Sequence, residues 1–218
     1  MRRLRILVTA GPTYEYLDPI RIITNPSSGK MGIALAKAAH RRGAKVTLIY
    51  GPGSETPPPY LKIINVKTTQ EMHRAVLSEL KKHNYDVCFA TAACADFTPV
   101  RTYTKKLVSN RKVTLTLKPT PKIIDDIKKI SPQTFLVAFK AEYNRPKRDL
   151  IQAGRKRLKS SQADLIVVQD VSKPGVGFQS DTNEVDIIDS QENVVHIARQ
   201  KKTTIAQKIV DLVLTRLA

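Results

Sequence analysis

Apolar positions in this chain fall into short unbroken runs separated by longer stretches in which they recur every three or four residues. The runs at 5–10, 45–50, 62–66, 87–92, 135–139 and 165–168 show no polar alternation, as in strands covered on both faces of a parallel sheet. The spacing between them predicts helices. One spans 31–42, with Ile33, Ala34 and Ala38 on one face and Gly43 as its stop. A second spans 70–82, with Met72, Val76 and Leu80. A short one covers 122–129, a largely basic one 147–159, and a last one 204–217, with Ile205, Ile209, Leu212, Val213 and Leu217. Strand and helix in alternation imply an α/β fold: a doubly wound, mostly parallel sheet with right-handed crossovers.

Two segments depart from this rhythm. Residues 102–118 hold a basic stretch and then the alternating VTLTLK; residues 184–198 read as two strands, VDIID and VVHIA, around a turn at 190–193. Alternation predicts half-exposed antiparallel strands, serving as a small flap or a contact between subunits. Pro57, Pro58 and Pro59 mark a stiff surface loop. With no repeats and no dividing linker, 1–218 reads as one domain, its flap at roughly 102–118.

Candidate chemistry concentrates in residues 8–32, VTAGPTYEYLDPIRIITNPSSGKMG. A strand turns at Gly11, passes through a polar segment, and opens a helix at Ser28, Gly29 and Lys30. Small residues there let backbone N–H groups approach an anion, and the helix start adds partial positive charge. The segment is not a Walker A loop, because Met31 stands where Ser or Thr would hold magnesium. A G-x-G-x-x-G is also missing.

Further along, ATAACADFTP at 90–99 ends a central strand in small residues. Asp96 either reaches a ligand at the strand end or caps a turn. In GVGFQSDTNEV at 175–185, Asp181 and Asn183 leave the same two readings open. Lys105 and Lys106 belong to a charge run that is either solvated or phosphate-directed. Cys94 has no histidine in a supporting motif and reads as a small core residue. His40, His73, His83 and His196 are scattered without metal spacing.

Charge sharpens this picture. Lys and Arg number 37 against 19 Asp and Glu, for a net +18, and the pI is near 10.0. Such a surface attracts anions. The basic residues are spread along the chain, Trp is absent and aromatics are 6%, which favours a solvated lysine-rich surface or small anionic substrates over nucleic acid. No apolar run has membrane-spanning length, and the N-terminus reads as a strand, not a signal peptide. Two cysteines, Cys88 and Cys94, form no disulfide framework, in keeping with a reduced cytoplasm.

Taken in order, TAGPT, DPIRIITNPSSGKMG, AAxADF, VAFKAE, DLIVVQDV and GFQSDTNEV resemble the phosphopantothenate–cysteine ligase family over nearly the whole chain. The resemblance implies a Rossmann-like sheet and a homodimer. It joins 4′-phosphopantothenate to cysteine through an acyl-nucleotide, using CTP or, in animal relatives, ATP, with Mg2+ and no flavin. In many microbes this domain follows a flavin-dependent decarboxylase; Met1 here precedes the first strand closely, so a monofunctional chain is expected. By resemblance, Asn25 and Lys106 are catalytic, and Arg21 and Asn25 contact substrate. Gly11, Ser28, Gly29, Lys30, Met31, Gly32, Ala93, Asp96, Phe139 and Arg157 would serve the nucleotide. Metal ligands are not assigned.

The chain departs from its relatives at several points. Lys-x-Lys-Lys on the flap reads Lys106, Leu107, Val108 and Ser109 when its first lysine is aligned with Lys106, the register preferred over one starting at Tyr103. In the helix before DLIVVQDV, two lysines four apart in many relatives read Arg157 and Ser161, and Gln169 replaces an asparagine. These changes bear on nucleotide choice. Competing readings are a nicotinamide-dependent reductase, for which the glycine fingerprint is lacking, and a basic nucleic-acid-binding protein.

Overall fold

The computed structural model describes residues 3–110 and 112–217. Met1, Arg2 and Ala218 of the expected domain, and Arg111 of the expected flap, lie outside the described residues. In chain order the elements begin β1 (Arg5–Ala10), β2 (Glu15–Tyr16), β3 (Ile22–Ile23), α1 (Lys30–Arg41), β4 (Lys45–Tyr50), β5 (Lys62–Asn65) and α2 (Thr69–Lys82). Then come β6 (Val87–Ala90), β7 (Phe97–Pro99), β8 (Leu117–Pro119), α3 (Ile123–Ile130), β9 (Phe135–Glu142) and α4 (Lys147–Ser161). The chain closes with β10 (Leu165–Asp170), β11 (Thr182–Asp189), β12 (Val194–Lys201) and α5 (Lys202–Leu217).

Among the described residues, eight strands form one sheet in the order β12-β11-β10-β9-β6-β1-β4-β5. All pairs from β10 to β5 are parallel, and β11 and β12 add an antiparallel edge. Period-two geometry splits β1 between two cores. Ile6, Val8 and Ala10 pack with α1 and α5, whereas Leu7 packs with α2, α3 and α4. The chain moves from β1 to β4 on one side and then crosses to β6 on the other, so the strand order reverses between β1 and β6. Ligands of open α/β sheets bind at such a reversal, outside the carboxyl ends of the strands.

The expected strands and helices are present, with β6 two residues shorter, β9 three longer and β10 two longer than the hydrophobic runs indicate. Two expectations need correction. The alternating VTLTLK does not make a strand of its own. Only its end enters β8, which pairs with β7, and residues 112–119 are all exposed. Alternation specifies a strand only where one face is buried, and here neither face is covered. Residues 184–198, in turn, are not a flap but the edge of the main sheet, and β11 is buried along most of its length.

Candidate active site

At the strand-order reversal lies a cleft of about 750 Å³. Its floor is the start of α1 together with residues at or just beyond the carboxyl ends of β1, β6, β9 and β10. Close approach of α1 to the sheet depends on two glycines. A Cβ on Gly32 would come within 2.4 Å of Ala10 Cβ and 2.6 Å of Thr91 Oγ1. Gly29, the N-cap, takes φ +88°, where a Cβ would meet the Tyr50 ring at 2.8 Å. The first N–H groups of a helix have no partner within it, and no acidic side chain occupies the first turn of α1. An anion placed there meets both the N–H groups and the helix dipole.

The loop after β6 is held from behind. Asn25 donates from its amide nitrogen to the carbonyls of Ala93 (3.2 Å) and Cys94 (2.9 Å). The Ala95 N–H donates to Thr13 Oγ1 at 2.9 Å, and Thr120 Oγ1 donates to the Ala95 carbonyl at 2.6 Å. Two carbonyl partners fix which end of the Asn25 amide carries hydrogen. Both of its N–H bonds are committed to the loop, so the atom it keeps for a ligand is Oδ1, an acceptor. Burial pushes the Cys94 thiol up to about 12, so it stays protonated near neutrality, and only the thiolate is nucleophilic.

Cationic side chains surround this floor. Lys30, Lys122, Lys140, Arg157 and Lys202 line the cleft, against the carboxylates of Asp96 and Glu142. Lys122 pairs with Asp96, Lys140 with Glu142 at 2.9 Å, and Arg157 with Asp125 at 2.8 Å. The excess of positive charge suits a multiply anionic ligand. The loop between β10 and β11 closes one side. Ser28 Oγ donates to the Phe178 carbonyl at 2.9 Å, Lys202 Nζ donates to the carbonyls of Gly177 (2.7 Å) and Phe178 (3.1 Å), and Lys30 Nζ meets Asp181 at 2.5 Å. Burial first, and then the Lys30 charge, bring the Lys202 ammonium down to about 8.

Of the residues singled out in the sequence, Gly11, Asn25, Gly29, Lys30, Met31, Gly32, Ala93, Asp96, Phe139 and Arg157 line the cleft, as does Asn183. Ser28 and Asp181 are outside the lining, Ser28 buried as a partner of Phe178 and Asp181 exposed as a partner of Lys30. Ser161 is buried, its hydroxyl donating to the Arg157 carbonyl at 2.8 Å, so of these two positions only Arg157 brings a cation to the cleft. Arg21 and Lys106 are outside the lining. Arg21 binds Asp18 and the flap, and Lys106 is exposed on the flap. Sequence reasoning missed Lys122, Lys140 and Lys202. Each looks like one more surface lysine until the fold brings it to the cleft.

The profile of the family described as DNA/pantothenate metabolism flavoprotein C-terminal domain matches residues 1–217. The chain belongs to this family. It is 42% identical over 207 residues to the coenzyme A biosynthesis bifunctional protein CoaBC of Thermococcus kodakarensis, covering 95% of this chain and 50% of that protein. To CoaBC of Escherichia coli K12 it is 35% identical over 221 residues, covering 99% and 53%. The chain thus spans about half the length of the curated relatives it matches. The crystal structure of the C-terminal domain of CoaBC superposes with a TM-score of 0.81 at 32% identity, covering 100% of this chain and 98% of that one. The family therefore accounts for the fold.

Proposed function

We propose that this chain is a phosphopantothenate–cysteine ligase that forms 4′-phosphopantothenoylcysteine for coenzyme A synthesis, with CTP as the activating nucleotide. The observation that carries the reading is the cleft: a helix start and a surplus of lysine and arginine facing the strand ends, in a chain that matches the CoaBC C-terminal domain along its full length. A carboxylate resists attack by an amine, so it must first gain a leaving group. In the first step a carboxylate oxygen of phosphopantothenate bonds to the α-phosphorus of CTP, and the bond to pyrophosphate breaks. In the second, the cysteine amine bonds to the acyl carbon, CMP departs with the bonding electrons, and the amine loses a proton. The cleft cations offset charge that builds on the phosphate oxygens.

Among the described residues, no group of three or more His, Cys, Asp or Glu is placed to hold a metal. A magnesium ion that arrives on the triphosphate needs only one or two protein carboxylates. Asp96 and Glu142, both in the cleft, fit that donor set, and bound Mg2+ would neutralise phosphate charge. Neither step changes an oxidation state, so the reaction calls for no flavin.

Nucleotide choice is tested by comparing kcat/KM for CTP and ATP with phosphopantothenate and cysteine present. We expect CTP to be favoured, because a pocket that hydrogen-bonds one base leaves polar groups unpaired with the other. An ATP preference would overturn the assignment of CTP. We also propose a homodimer in the cytoplasm. Val100, Val108, Val113, Leu115 and Leu117 are exposed along one stretch of chain, an apolar surface that association would cover. Sedimentation at micromolar concentration should give about twice the 24.3 kDa chain mass; an active monomer would contradict the dimer. No helix among the described residues is long and apolar enough to cross a membrane.

A further inference from the structure

The hairpin β2–β3 connects the cleft to the flap. Asn25 follows β3 at its base, and the turn between the strands, closed by a hydrogen bond from Leu17 N–H to the Arg21 carbonyl at 2.9 Å, carries Asp18 at its tip. Asp18 is fully buried. Its Oδ1 accepts from the N–H groups of Ile20 (2.9 Å) and Arg21 (2.8 Å). Its Oδ2 accepts from Arg21 Nη1 at 2.5 Å and from the Leu107 N–H at 3.0 Å. Arg21 Nη1 donates as well to the Leu107 carbonyl at 3.0 Å. Both main-chain polar groups of Leu107 are thereby held by one ion pair. Nearby, the Tyr103 N–H donates to the Leu17 carbonyl at 2.9 Å, and Thr102 Oγ1 donates to the Tyr16 carbonyl at 3.2 Å.

These bonds matter because the flap has little else to hold it. Residues 100–110 form no helix or strand, and most are exposed. We propose that Asp18 and Arg21 form a latch that grips the flap at Leu107 and so sets the position of the adjacent Lys106. Asp18 acts as a positioning residue for the nucleotide-dependent step. The catalytic half of this statement rests on the ligase reading; the latch itself does not. Burial alone would raise the Asp18 pKa, but the hydrogen bonds from Leu107, Ile20 and Arg21 outweigh it and hold the carboxyl well below the usual range, so the latch stays charged at neutral pH. The guanidinium has further N–H groups beyond Nη1, which leaves Arg21 able to meet a substrate while it grips the flap.

The test is Asp18→Asn. The amide can keep an oxygen toward Ile20 and Arg21 N–H, but it then presents its NH2 to two donors, Leu107 N–H and Arg21 Nη1. Trypsin should cleave the Lys105–Lys106 bond about tenfold faster than in the wild type, since a lost charged hydrogen bond opens the segment locally. Nucleotide-dependent pyrophosphate release should fall about tenfold in kcat, with nucleotide affinity changed less than about twofold. Leu107→Pro removes the N–H from the flap side and leaves the hairpin untouched; it should reproduce the faster cleavage even if Asp18→Asn folds poorly. Unchanged cleavage in Leu107→Pro would overturn the latch. Faster cleavage in Asp18→Asn with wild-type pyrophosphate release would overturn the positioning role. A wild-type protein that releases no pyrophosphate would instead count against the ligase reading, with the cleavage comparison still deciding the latch.

Discussion

Replacing Asn25 with alanine should slow amide formation by about 10²–10³-fold, the usual cost of losing one preorganised polar group at a reacting centre. The structure gives the reason. Asn25 ties the Ala93 and Cys94 carbonyls in place and keeps Oδ1 for a ligand, so alanine removes an anchor and an acceptor together. Asn25→Asp should be as damaging, because a carboxylate has no N–H to give those carbonyls. Nucleotide binding, which draws on the cations and on the start of α1, should persist. Single-turnover measurements with cysteine added second separate the steps. Amide formation at the normal rate in Asn25→Ala would remove this residue from the centre of the site.

The second large effect is expected at Lys106. Its ammonium is exposed and outside the cleft, so it contributes only when the flap lies over the triphosphate. Charge accumulates on the α-phosphate as pyrophosphate departs, and Lys106→Ala should therefore slow pyrophosphate release itself, again by about 10²–10³-fold. Lys105→Ala is the control for register. If that variant is the damaged one and Lys106→Ala is near wild type, the flap acts through the other lysine.

Much of this arrangement was readable from the chain because it depends on local pattern. Unbroken apolar runs identified the parallel strands. The glycine and serine residues before α1 marked the strand–turn–helix that forms part of the cleft floor, and the ordered motifs pointed to the family. What escaped depended on contacts between distant segments. Lys202 lies one residue beyond β12 and becomes a buried partner of Gly177 and Phe178 only when α5 packs beside that loop. The resemblance assigns Arg21 to substrate, yet nothing in DPIR indicates that it binds a main-chain group 86 residues away. The VTLTLK stretch misled for the converse reason. Its period is that of a strand, but no neighbouring element covers either side.

The central claim is an acyl-nucleotide made before cysteine enters, and pyrophosphate release in the absence of cysteine tests it most directly. With CTP, magnesium and stoichiometric enzyme, a burst of pyrophosphate should appear when phosphopantothenate is added and should not require cysteine. Pyrophosphate that forms only after cysteine is supplied, or that forms equally without phosphopantothenate, would contradict the account.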